Sequence, residues 1–208
     1  MKKILVLACF AFAGSAWASG IEFWVLGGQT LINNAGLGTE ECAPGAPTSL
    51  CQSIGATSND IALTDGFHFG FRGGFNFGDH IGYEVGYMYN RTNLKFNDQG
   101  GFEEGMAYHQ VAFNALWHFL DQDSKFRPFV TAGVGFTNYA PPGTSAAYGG
   151  GDTKLGFNYG GGVKYRLTSL FGLRLDVRQA ITPKPLGLPL ASGWLRENEF
   201  SAGFGVYF

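Results

Sequence analysis

Glu22, Arg72, Glu84, Lys164, Arg166, Arg174, Asp176, Arg178 and Glu199 recur at alternate positions inside segments otherwise rich in apolar side chains. Charges gathered on one face can do two things. Opposite charges that pair form a salt-bridge and hydrogen-bond network, the arrangement that makes buried charge tolerable. Charges that face a water-filled passage line a pore and select what crosses it. The network is the first expectation here and a narrow passage for small solutes the alternative. A nucleophile and its base are the next chemistry to seek, since they must lie within hydrogen-bond reach. His68, His80, His109, His118 and Ser201 are the candidate groups, but no hydrolase or acyltransferase motif surrounds any of them. A lipid-modifying enzyme is therefore the third expectation, with no catalytic residue assigned. Gly149 to Asp152 and Gly160 to Gly162 are glycine-rich, but neither shows a phosphate-loop or dinucleotide fingerprint leading into a helix. No cofactor and no metal ligand set is expected.

These residues need strands to position them. A strand sends alternate side chains to opposite faces. Phe67, Phe69, Phe71, Phe75 and Phe77 share one face, while Gly66, His68, Gly70, Arg72, Gly74 and Asn76 share the other. The pattern recurs in six further segments, around residues 81–90, 110–119, 130–137, 157–167, 173–181 and 199–208. An eighth and less regular segment runs from Ile21 to Leu31. An even number of strands closes an antiparallel barrel with both ends on one side. The connections alternate in length. Ile32 to Thr64, Thr92 to Gly105, Ala140 to Lys154 and Pro183 to Arg196 are long. Gly78 to His80, Leu120 to Phe126 and Thr168 to Phe171 are short. Short turns at one end and long loops at the other are the habit of outer-membrane barrels.

Composition bears on which face is outside. Charged residues make up 14% of the 208, aromatics 16%, and glycine supplies 33 positions. An average soluble domain carries about 25% charged residues. The net charge of −2 and the lack of a basic run exclude nucleic acid as a partner class. The interior of an eight-stranded barrel is only just wide enough for side chains to fill. It has no room for a nearly unbroken band of Phe, Tyr, Val and Leu, so that band faces outward, toward lipid. Tyr87, Tyr89, Tyr139 and Phe157 are expected in an aromatic girdle at the long-loop side. Phe77, Trp117, Phe119, Tyr165 and Phe208 are expected in one at the short-turn side.

The first eighteen residues read as an export signal. Lys2 and Lys3 precede an apolar stretch from Ile4 to Ala13, and Ala16-Trp17-Ala18 is a cleavage site before Ser19. The expected organisation is a signal peptide over 1–18 and one barrel domain over 19–208. Export places Cys42 and Cys51 in an oxidising compartment, where a disulfide is expected.

Taken together, these features resemble the family of small outer-membrane β-barrels that includes the OmpA transmembrane domain and OmpX. The resemblance rests on the signal peptide, the eight alternating segments, the loop asymmetry and the ending FSAGFGVYF over 200–208. It implies an all-β fold, an eight-stranded antiparallel up-and-down transmembrane barrel in the outer membrane. Phe204, Val206 and Phe208 are then part of a C-terminal signal read by the barrel-insertion machinery. It implies contact with outer-membrane lipids. A monomer is expected, and, because the chain stops at Phe208, so is the absence of the periplasmic peptidoglycan-binding domain of full-length OmpA-type proteins. The function expected is structural or interactive, with long external loops displayed to an outside partner.

Overall fold

A computed structural model describes residues 20–43, 46–144 and 150–208; the export signal lies outside them. Eight long strands form the wall: β1 (Ile21–Asn33), β4 (Gly66–Phe77), β5 (Ile81–Phe96), β6 (Phe102–His118), β7 (Phe126–Ala140), β8 (Asp152–Arg166), β9 (Phe171–Pro183) and β10 (Trp194–Tyr207). Each pairs antiparallel with its neighbour in the chain, and β1 pairs with β10 to close the ring. At the closure the Phe208 amide donates to the Ile21 carbonyl. Two short strands, β2 (Gly36–Gly38) and β3 (Ile61–Leu63), and one helical turn, α1 (Thr48–Ser53), lie within the first long connection. Strand β3 pairs with the far end of β5, so it prolongs the line of β4 beyond a break at Thr64 and Asp65. No described helix is long and apolar enough to cross a membrane.

The alternation sorts side chains as the period of two requires. Phe71 is 47% exposed on the outer face and its neighbour Arg72 is 3% exposed inside. Glycine makes the narrow interior possible by facing large groups across the strand pairs. Gly86 lies opposite Arg72, Gly160 opposite Arg178, Gly162 opposite Asp176 and Gly205 opposite Trp24. A Cβ on Gly86 would stand 2.9 Å from Arg72 Cγ, and one on Gly160 would stand 2.9 Å from Arg178 Cγ. The high glycine content thus provides the space that the lumen's long side chains occupy.

Two expectations need correction. The segment from Thr92 to Gly105 is not a long loop. Strands β5 and β6 stay paired out to Phe96 and Phe102, leaving only the turn 97–101. Gly100 and Gly101 hold φ of 74° and 80° there, a left-handed conformation that glycine adopts without a Cβ clash. The polarity of Arg91, Asn93, Lys95, Glu103 and Glu104 suggests loop. A hairpin that projects beyond the apolar band, however, can be polar on its outer face and remain strand. Tyr139 is the second correction. It does not belong to a girdle: it is fully buried in the lumen.

Candidate functional site: the barrel interior and its long-loop mouth

The middle of the lumen is an ion cluster drawn from four strands. Arg72 of β4 donates from Nη1 to Asp176 Oδ2 at 2.6 Å. Arg174 of β9 reaches Glu84 Oε2 at 2.5 Å and Asp176 Oδ2 at 3.0 Å. Arg178 donates to Glu84 Oε1 at 2.8 Å. Glu199 of β10 lies 3.7 Å from Arg72 Nη2. Three guanidiniums meet three carboxylates, so the cluster is formally neutral, and Arg forks suit this because they bond two carboxylates at once. The Arg174 guanidinium also lies over the Phe129 ring at 4.9 Å, where the ring face attracts the cation.

Toward the short turns, buried Lys164 pairs with Glu22 and lies 3.2 Å from His118 Nε2. Arg166 stands apart from the central cluster. It donates to the Gln122 carbonyl at 3.0 Å and lies over the Tyr207 ring at 4.8 Å. Arg127, which the sequence reading did not single out, is buried at this end and donates to the Leu120 and Asp79 carbonyls.

Toward the long loops the lumen changes from ionic to hydrogen-bonded. Ser201 Oγ lies 2.8 Å from His68 Nε2, and His68 Nδ1 lies 2.9 Å from Thr30 Oγ1, which donates to Asn90 Oδ1. The first pair has the separation of a nucleophile and its base. Its third member is a threonine rather than a carboxylate, and both Ser201 and His68 are buried in the lumen. What the chain of bonds does is tie β10, β4, β1 and β5 together. Above it, Glu197 accepts from Tyr139 at 2.6 Å and from Gln110 at 2.5 Å, while Tyr139 also bonds Thr182. Glu197 lies two residues before the alternating segment 199–208 that the sequence marks as this strand, which begins at Trp194. Continuing the alternation two residues back would have found it.

A lid closes the long-loop end. Ile32, Leu37, Ile61, Leu63, Leu94, Met106, Tyr108, Tyr139 and Leu195 form one buried apolar cluster, with Leu186 and Leu188 packed against it. The first connection supplies Leu37, Ile61 and Leu63, and the last supplies Leu186 and Leu188. Within the first connection, Cys42 and Cys51 are joined by a disulfide with their Cα atoms 5.7 Å apart. Ala56 packs against them. At its foot, Asp60 accepts from the Thr57 amide and hydroxyl. Burial pushes the Asp60 carboxyl up, but these hydrogen bonds outweigh it and leave the group below its ordinary value. Replacing both cysteines by serine should leave the barrel folded and loosen only this connection. A disulfide closing so short a loop contributes roughly 2–3 kcal/mol. Limited proteolysis should then nick residues 34–65 many times faster, with heat-modifiable gel migration unchanged. Equal nicking rates would show that the apolar lid alone orders the loop.

The space left inside is small. A cavity of about 40 Å³ lies between Arg72, Arg178 and Glu199 on one side and Ala112, Gly135 and Gly156 on the other. That admits only a few waters. At the mouth a hollow of about 350 Å³ opens between Glu40, Glu104, Pro141 and Leu186. Among the described residues, no three His, Cys, Asp or Glu side chains gather as a metal site.

Solved structures share this architecture at low identity. Neisserial surface protein A is 18% identical, with a TM-score of 0.58 over 92% of this chain and 99% of that one. The outer membrane protein OprG of Pseudomonas aeruginosa is 13% identical, with a TM-score of 0.55 over 90% and 95%. The N-terminal β-barrel domain of OprF from the same organism is 14% identical, with a TM-score of 0.53 over 93% and 100%. Comparison with curated proteins returned no match. The family profile of the outer membrane protein beta-barrel domain matches residues 4–208. With the closed wall, the apolar outer face and the charged interior in place, that match means the chain belongs to the outer membrane β-barrel protein family.

Proposed function

We propose that this protein is a closed outer-membrane barrel whose work is done by its external loops, as a structural and interaction protein rather than a conduit. The observation that carries the reading is the stopped lumen. A neutral ion cluster fills the middle, and the apolar lid of Leu37, Ile61, Leu94, Met106 and Leu195 covers the outer end. Binding residues are usually carried by loops on a rigid scaffold. The first connection meets that description: it is cross-linked, packed down on the barrel, and carries Glu40, Glu41, Asp60 and Asp65 with no Lys or Arg between residues 34 and 65. Export behind residues 1–18, insertion through the ending Phe204, Val206 and Phe208, and the absence of an enzymatic role belong to the same proposal.

Planar-bilayer recording on the folded barrel tests it. The expected record shows no unitary steps. Removing residues 36–60, with folding verified by gel shift, should abolish partner or cell-surface binding. Discrete conductance steps from the intact barrel would instead favour a narrow passage, running through the small-residue wall of β6, β7 and β8.

A further inference from the structure

The lipid-facing surface is not uniformly apolar. On β6 and β7 it presents Val111, Phe113, Val130, Val134 and Phe136. On the far side a row of polar side chains crosses adjacent strands. Tyr159 of β8 donates to Gln179 Oε1 at 2.6 Å, Gln179 of β9 donates to Asn198 Oδ1 at 2.7 Å, and Asn198 of β10 donates toward the Leu31 carbonyl of β1 at 3.4 Å. Gln29 of β1 is exposed on the same face.

Depth makes this row costly. Gln29 is eight residues above Ile21, and Gln179 eight above Phe171. On a strand tilted by about 40° that is about 20 Å, inside an apolar band about 25 Å tall. Trp194 and Phe157, stacked edge to face at 6.3 Å, mark the girdle above it. Gln179 and Asn198 each use one donor and one acceptor within the row; hydrocarbon offers nothing to the rest of their carboxamides or to Gln29, and amide groups left unbonded there cost several kcal/mol.

We propose that this seam is the interface through which a second copy of this chain binds, side by side in the membrane. Three features favour that occupant. Carboxamides both donate and accept, so the seam is complementary to itself, as a two-fold contact requires. Beside it, Gly27 and Ala202 face each other across the β1–β10 pair and leave a hollow, while Phe67 and Phe69 of β4 pair with Gln29 and Gly27 and form a ridge. Ridge next to hollow on one patch is the shape that a two-fold axis seats twice. Within lipid, close approach at small residues and hydrogen bonds between amides are what hold protein to protein. The inference rests on the membrane placement of the barrel and not on the loop platform, so either can fail alone.

Cross-linking in native outer membranes tests it. With Cys42 and Cys51 bonded to each other, Gln29→Cys places a thiol in the seam and Val134→Cys places one on the opposite face. A homodimer should form through the first and not the second. The variant Gln29→Leu/Gln179→Leu/Asn198→Leu, extracted in mild detergent, should self-associate at least about tenfold more weakly than wild type while keeping its heat-modifiable gel shift. Ala202→Trp, which fills the hollow, should act likewise. Cross-linking that is absent or equal at both sites would overturn the proposal. So would a wild-type monomer that retains outer-leaflet glycolipid which the triple variant releases, an outcome that assigns the seam to lipid.

Discussion

Replacing Glu84 by alanine should destabilise the folded barrel by about 3–5 kcal/mol, because it strands buried cations. Glu84 accepts from Arg174 and Arg178 and lies 3.9 Å from Arg72. Without it, three guanidiniums share Asp176 and Glu199, in a lumen where both are buried. The expected measurement is a lower urea midpoint in micelles, read by tryptophan fluorescence. Glu84→Gln separates charge from volume. It fills nearly the same space and should still lose most of that stability. Wild-type behaviour of Glu84→Gln would show that the site needs an acceptor and not an anion. The double variant Glu84→Ala/Arg178→Ala leaves two cations facing two anions. It should be more stable than Glu84→Ala alone, a sign reversal that only direct coupling produces.

Val134→Arg should cost about 2–4 kcal/mol in a lipid bilayer, and Phe171→Arg about 0–1 kcal/mol, although the same side chain is introduced at both sites. Both residues are exposed on the outer face, but Val134 lies in the middle of β7 and Phe171 is the first residue of β9, at the short-turn end. Loss of the larger Phe171 side chain would by itself make the second change the costlier one, so the reversed order reports depth: an arginine near the edge extends its charge into the headgroups. Urea titration in short-chain phosphatidylcholine vesicles reads the difference. Equal costs at the two sites would mean that the face is not in lipid.

The sequence carries the barrel openly because a period of two survives any uncertainty about where strands end. Which charges meet is a different kind of information. Arg72 and Asp176 share a face with many others, and only the stagger of β4 against β9, set through the intervening strands, brings them to 2.6 Å. Arg166 has the same parity as Lys164, yet it sits at the turn end and bonds backbone instead. Tyr139 is a case where pattern and residue type disagree. Its parity with Thr137 places it inside, its aromatic ring suggests a girdle, and the parity prevails because its hydroxyl donates to Glu197 and accepts from Thr182. The glycine positions gain meaning only after register is known, since Gly86 and Gly160 are defined by the arginines they face.

The ion cluster also bears on how the wall is completed. Arg72 and Glu84 lie on the second and third wall strands, and their partners Arg174, Asp176, Arg178 and Glu199 on the last two. Lys164 and Glu22 likewise join the eighth strand in the chain to the first, 142 residues apart. A sheet still open holds only fragments of this balance: Glu84 has Arg72 at arm's length, and Arg174 and Arg178 have Asp176 between them. Counted with Glu22 and Lys164, the early strands hold one anion in excess and the late strands one cation in excess, so neither half can surrender its inner face to a dry environment. The final seam between β1 and β10 is therefore what makes the interior electrically complete. Assembly has the character of a latch, in which the first and last strands must meet before the charges in the middle are satisfied.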